Sequence, residues 1–227
     1  ERRVSVTEEE VQTLNALRRG VYAKKALQEG DELKAEDFFM AIPSQPGQVL
    51  ANDLSKYKQY KVRNLVKKNQ EVLFDNVNVT DIKPLVEHAL KQVTNLLIAN
   101  RITVPDGVGC ELSHHYGIDT FFKNGATIIN IINREYCKKL IVVLPGQSHP
   151  MHFHTKKEET FNVLSGEMQL EVNGEENTVS AGGVVTVERG VKHKFSSQVG
   201  VIFEEISTTH FDGDSFYDDD LINKNKH

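Results

Sequence analysis

The run Gly146-Gln147-Ser148-His149-Pro150-Met151-His152-Phe153-His154-Thr155-Lys156-Lys157-Glu158-Glu159 constrains this chain more than any other segment. In an extended strand successive side chains alternate faces, so His152 and His154 point the same way and Phe153 points the other. Glu159 follows after a short turn and can return a carboxylate to the two imidazoles. Gly166 closes the unit after Leu164-Ser165. A second unit, from Gly182 to Gly190-Val191-Lys192-His193, delivers one more imidazole on a strand-turn-strand pattern. Three imidazoles and one carboxylate form a set for one divalent ion. Mn, Fe, Co, Ni and Zn are all compatible with it, and positions remain for water or substrate. Spacing alone does not choose among these metals.

The surroundings read as β structure. From about Gly107 to Ile222, runs rich in β-branched residues recur at 126–132, 140–144, 160–164, 168–172, 184–187 and 201–206. Turns such as Asn173-Gly174 and Ala181-Gly182-Gly183 lie between several of them. Many short strands with regular turns indicate a sandwich or a barrel. The tail from Asp212 is acidic, and residues 223–227 are polar and expected to be disordered.

With these residues in view, the two units resemble the paired cupin motifs, Gly-x5-His-x-His-x4-Glu-x6-Gly and Gly-x5-Pro-x-Gly-x2-His. The first matches at Gly146, His152, His154, Glu159 and Gly166. The second matches at Gly182, Gly190 and His193, with Glu188 where proline is usual. The resemblance implies a cupin jelly-roll barrel with one metal held by His152, His154, Glu159 and His193. His114, His115 and His149 then read as polar residues near the barrel mouth, not as ligands. Tyr136 to Leu140, Pro145 to Gln147, Pro150 to His154, Lys156-Lys157 and Glu159, and then Glu205-Ile206-Ser207, are similar to the metal-dependent D-lyxose isomerase group of cupins. That group interconverts aldose and ketose through an enediol. The likeness puts Lys157 at a pocket lysine and Glu205 at a proton-transfer carboxylate, roles that suit both residue types. The alternatives are a solvated Lys157 in the charged run 156–159 and a Glu205 paired with a cation at a strand edge. Of the doublet Glu204-Glu205 only one can face inward, and the sequence leaves open which.

Upstream, Thr7 followed by Glu8-Glu9-Glu10 has the pattern of a helix cap, so residues 1–16 are expected to be helical. From Leu17 to Asn78 short β-like runs alternate with turns, and Leu27–Leu33 aligns with Val66–Val72. Gly30 and Asn69 fall at the same place, and both residue types tolerate a left-handed backbone. A small pseudo-symmetric β domain from an internal duplication is expected. Residues 80–99 carry apolar positions at three- and four-residue intervals, the mark of a helix joining two domains. The segment Leu17-Arg18-Arg19-Gly20 to Lys25, Gly30 to Leu33 and Pro43 to Gly47 resembles the SAF (antifreeze-like, β-clip) domain of sialic acid synthases. The arginines match that family's Arg-Arg-Ser context and the serine does not. By this resemblance Arg18 and Arg19 would help hold an amino-sugar substrate at a partner subunit's barrel in a homodimer. Read as residues alone, they are a solvated basic pair before a strand.

The expected organisation is therefore mainly β: a segment 1–16, a SAF domain 17–78, a linker helix 79–106 and a cupin 107–222. The opening Glu1-Arg2-Arg3 has neither a starting methionine nor a signal core, so the chain is expected to be part of a longer synthase-like protein whose barrel it lacks. A formal charge of −5 over 227 residues disfavours a nucleic-acid binder, and no run approaches the roughly 18 apolar residues of a membrane span. Two cysteines cannot make a disulfide framework and fit free thiols in a cytoplasmic protein. The leading reading is a sugar-binding region whose metal cupin would bind or isomerise its ligand. A non-catalytic cupin that senses ligand or oligomerises, and an Fe(II) oxygenase, are the alternatives.

Overall fold

The structure, a computed structural model, describes residues 6–224. The chain divides into two compact units, residues 1–86 and 87–227. The first contains helix α1 (Glu8–Ala16) and strands β1 (Gly20–Ala23), β2 (Phe38–Ala41), β3 (Lys58–Val62) and β4 (Val77–Asp81). The cap of α1 forms as its sequence implies. The Glu10 amide donates to Thr7 Oγ1 at 3.2 Å and the Thr7 amide to Glu10 Oε2 at 2.8 Å. The part of the expected N-terminal helix that falls on residues 1–5 lies outside the described residues.

The duplication is explicit in the backbone. The β1–β2 and β3–β4 hairpins are antiparallel equivalents, and the bonds between them come in matched pairs. The Gly30 amide donates to the Val62 carbonyl at 2.8 Å as the Asn69 amide does to Ala23 at 2.7 Å. The Ala23 amide donates to Gln70 at 2.9 Å as the Val62 amide does to Asp31 at 2.8 Å. Leu27 and Val66 exchange both of their hydrogen bonds, at 2.9 and 3.0 Å, so they sit on the local two-fold. Gly30 and Asn69 both have positive φ, +92° and +63°, the left-handed turn that glycine and asparagine accept most readily. The interior is aliphatic, built on Val21, Leu27, Val49, Val62, Val66 and Val72.

The division between units falls inside helix α2 (Lys83–Ala99), whose Lys83 amide is capped by Asp81 Oδ1 at 2.9 Å. The second unit continues with β5 (Gly109–His114), β6 (Gly125–Asn133), β7 (Tyr136–Val143), β8 (His152–His154), β9 (Glu159–Val172), β10 (Glu175–Ser180), β11 (Val184–Val187), β12 (His193–Ser196), β13 (Val201–Thr208), β14 (Ser215–Tyr217) and helix α3 (Asp220–Lys224). All pairings are antiparallel. The path runs β14-β8-β12-β9-β13-β7-β6-β5, with β10 and β11 also on β9. The sheet curls around a core of Ile141, Val143, Phe161, Val163, Phe195 and Phe203, so the fold is mainly β, in the manner of a cupin jelly roll.

Two expectations change. The runs 160–164 and 168–172 are one strand, β9. Gly166 does not end it but continues it with φ +83°, in register with Val201 and two residues after the register shift at Leu164. A side chain there would collide with the carbonyl of Gly200, which explains the glycine without a chain break. Helix α3 takes in residues 223 and 224, expected to belong to a disordered tail, and residues 225–227 lie outside the described residues. Cys110 and Cys137 are both free. Among the described residues no helix is long and apolar enough to cross a membrane.

Candidate metal centre

Strand β8 is three residues long and sends His152 and His154 inward, while Phe153 stacks on Phe216 on the other side. Glu159 opens β9 on the same inward alternation as Phe161 and Val163. His193 opens β12, directly opposite His152 in the antiparallel register. The turn before His193 forms without the usual proline. Gly190 takes φ +77° and its amide donates to the His154 carbonyl at 2.6 Å. The four side chains are all buried and can each offer one donor atom, with these atoms within 4.8 Å of one another.

The hydrogen bonds of the imidazoles decide which nitrogen each presents. His152 Nδ1 lies 3.0 Å from the Pro150 carbonyl, His154 Nδ1 2.7 Å from the Asp214 carbonyl, and His193 Nδ1 3.1 Å from the Val191 carbonyl. A carbonyl oxygen only accepts, so each Nδ1 carries the proton and each Nε2 keeps its lone pair for the shared centre. His193 Nε2 lies 3.0 Å from Glu159 Oε2, yet neither atom has a hydrogen-bond partner. Two buried lone pairs facing one another without a proton between them are what a shared cation relieves. Burial, with the neighbouring His149 and His193, pushes the His152 pKa well below its ordinary value. Burial alone would raise the Glu159 carboxyl, but the facing His154 and His193 rings and the Lys157 ammonium hold it well below the usual carboxylate range. Neutral imidazoles and an ionised carboxylate are the ligand forms a divalent ion requires.

Beside this group runs a chain of opposite charges. Lys157 Nζ lies 2.5 Å from Glu159 Oε1 and 2.8 Å from Glu205 Oε1, and Lys139 Nζ lies 3.7 Å from the same Glu205 oxygen. Burial disfavours the Lys157 ammonium, but the Glu205 and Glu159 carboxylates outweigh it and raise the pKa above the ordinary lysine value. Lys157 is therefore not a solvated member of its charged run, since it is 3% exposed. Of the doublet, Glu205 faces inward, between Lys139 and Phe161 in the register of β7 and β9. Glu204 faces out to Lys138 at 2.7 Å and Asn162 at 3.3 Å.

His152, His154, Glu159, Lys157, Lys139 and Glu205 line one cavity of about 380 Å³, with Glu111, His115, His149, His210, Asp212 and Tyr217 also in its wall. His149 is buried and its pKa pushed well down by that burial. Its Nε2 lies 3.3 Å from His115 Nε2, which also meets Tyr217 Oη at 3.1 Å. His114 is exposed, its ring bonded to the Leu112 carbonyl. Lys139 lies in the stretch that carries the isomerase likeness, which gives it no role, and His210 and Tyr217 carried no motif signal. Lys139 could have been found only as a charged residue on the inward alternation of an otherwise apolar strand. Arg18 and Arg19 belong to the first unit, where they are exposed and line a recess with Leu14, Leu17, Leu50, Ala51 and Asn52.

The cupin class suggested by fold and site is supported by comparison with known proteins, since residues 139–200 match the cupin domain family. Among solved structures, the chain is similar to L-ribose isomerase of Cellulomonas parahominis with no ligand, at 16% identity over 63% of this chain and 94% of that one, with a TM-score of 0.53. It is similar to the same enzyme with L-psicose, at 16% identity over 62% and 94%, TM-score 0.52. The L-ribose isomerase of Acinetobacter sp. DL28 in complex with L-ribose gives 15% identity over 62% and 94%, TM-score 0.52. At such identities the likeness is one of fold.

Proposed function

We propose that the second unit is a cupin that uses one divalent metal to bind a sugar and interconvert its aldose and ketose forms. The observation that carries the reading is that His152, His154 and Glu159, whose donor atoms converge with that of His193, share one cavity with the buried Lys157–Glu205 pair. The three Nε2 atoms and the Glu159 carboxylate would hold the ion, which when bound supplies Lewis-acid polarisation of a sugar oxygen. The Glu205 carboxylate takes the proton from the carbon beside the carbonyl and returns it to the neighbouring carbon. The Lys157 ammonium donates a hydrogen bond to the oxygen on which negative charge develops. The fold shared with sugar isomerases supports the reading. Protein loaded with Mn and incubated in deuterium oxide should place solvent deuterium at C1 or C2 of at least one pentose or hexose in a panel. Absence of exchange across the panel removes the isomerase reading and leaves a ligand-binding cupin.

The first unit we read as a SAF-type domain of a sialic acid synthase-like protein, working as a homodimer in the cytoplasm. The paired β architecture and the exposed Arg18 and Arg19 beside their recess support this reading. The chain added to a separately expressed synthase barrel should raise its condensation rate, and the Arg19→Ala chain should not. Equal rates with and without the chain would dismiss the synthase context.

A further inference from the structure

We propose that Asp214 is a positioning residue of the metal centre, acting through its carboxylate on the turn that carries Lys157 and through its carbonyl on His154. The inference rests on the metal reading of this cavity and adds a residue that the motif does not contain. Four polar hydrogens converge on the Asp214 carboxylate in five contacts. Oδ1 accepts from the Thr155 amide at 3.1 Å and its hydroxyl at 2.6 Å, both oxygens accept from the Lys156 amide at 3.2 and 3.0 Å, and Oδ2 accepts from the Lys157 amide at 3.1 Å. The backbone carbonyl of the same residue accepts a hydrogen bond from His154 Nδ1 at 2.7 Å.

Residues 155–158 are the link between two candidate ligands, His154 at the end of β8 and Glu159 at the start of β9. A link this short sets the distance and angle between its ends, and here its own amides have no strand partner. Asp214 supplies the acceptors from the C-terminal segment just before β14, which pairs with β8 so that Ser215 lies opposite His154. The residue is buried. Burial alone would raise its pKa, but the bonds from Thr155, Lys156 and Lys157 hold it below the usual carboxylate value. One residue remote in sequence thus fixes the tautomer of one imidazole and the backbone from which Lys157 reaches Glu159 and Glu205.

Asparagine separates this role from simple filling of space. Its Oδ1 can keep the Thr155 bonds, but its amide then presents N–H to the N–H groups of Lys156 and Lys157. The test is titration of the metal-free full chain with cobalt(II), read by dissociation constant and by visible ligand-field spectrum, with solvent-deuterium exchange measured in parallel. Asp214→Asn should weaken cobalt binding by about 10- to 100-fold, the cost usual for an outer partner of a metal ligand, and shift the spectrum. Thr155→Val, which removes one of the bonds, should weaken binding by a smaller factor in the same direction, and it alone decides the matter if Asp214→Asn does not fold. Folded variants with the wild-type dissociation constant and spectrum overturn the inference, even if their melting temperatures fall. Wild-type protein that binds cobalt but exchanges no deuterium removes only the isomerase reading. Wild-type protein that takes up no cobalt overturns the metal reading and this inference with it.

Discussion

The two units of this chain treat their interiors in opposite ways. The first fills its centre with aliphatic side chains and meets its backbone needs by two-fold repetition, with buried polar groups such as Asp37 and Gln48 spent on a turn amide and a strand carbonyl. The second buries Lys139, Lys157, Glu159, Glu205 and three histidines, His149, His152 and His154, in the wall of one cavity. Desolvating a charge costs several kcal/mol before any pairing is counted, so a cluster of this kind lowers the stability that the same volume of apolar packing would provide. A fold keeps such a cluster where chemistry uses it. The contrast marks one unit as organised around its own packing and the other as organised around a site.

Breaking the charge chain should have the largest effect. Lys157→Met leaves Glu159 and Glu205 buried without their shared cation, and the metal-free second unit should lose about 3–5 kcal/mol of unfolding free energy. Hydrogen-exchange protection of the first unit should stay as it was, and urea titration followed by exchange checks both.

Metal addition should act in the other direction on the same unit. At a free concentration one hundred times the dissociation constant, manganese should add about 2.7 kcal/mol, seen in calorimetry as an upward shift of one transition that a chelator reverses. A shift of the first unit's transition as well would mean that the division between the units is not an energetic one.

Acid should separate the units again. His149 and His152 are held neutral in the folded state, with pKa values below their ordinary 6.5. As pH falls below 6.5 the unfolded chain binds protons that the folded one refuses, so stability falls. The slope approaches about 1.4 kcal/mol per pH unit for each histidine that must stay neutral. Glu159, depressed below its ordinary 4.5, adds a loss only as pH falls further, through its folded value. The first unit has no histidine among its described residues, and its depressed carboxylate, Asp37, adds a loss only as pH falls below its ordinary 3.8. Metal-free protein should therefore lose the second unit's near-ultraviolet signal first on acid titration.

The smallest effect sharpens the symmetry of the first unit. Asp37 accepts the Lys34 amide at 3.0 Å, and at the equivalent place in the other copy Asn76 accepts the Leu73 amide at 3.3 Å. Asp37→Asn should thus cost less than about 1 kcal/mol, mostly its ion pair with the exposed Lys25, measurable by chemical denaturation. A larger cost would mean that the two copies are not energetically equivalent.

Much of this was legible in the amino-acid order because it rests on local geometry. The period of two in a strand puts His152 and His154 on one face, and the aligned turns at Gly30 and Asn69 disclose the duplication. The apolar spacing of residues 80–99 makes a helix, observed as Lys83–Ala99. Local geometry could not choose between Glu204 and Glu205, since each is followed or preceded at alternate positions by apolar residues and both alternations satisfy a buried strand. The register of β13 between β7 and β9 made that choice. Nor could it find Lys139, His210, Tyr217 or Asp214, which reach the cavity from strands and loops far apart in the chain. Their inward placement follows from how the sheet curls and where the C-terminal segment closes against β8, and these are long-range pairings that no short window of sequence contains.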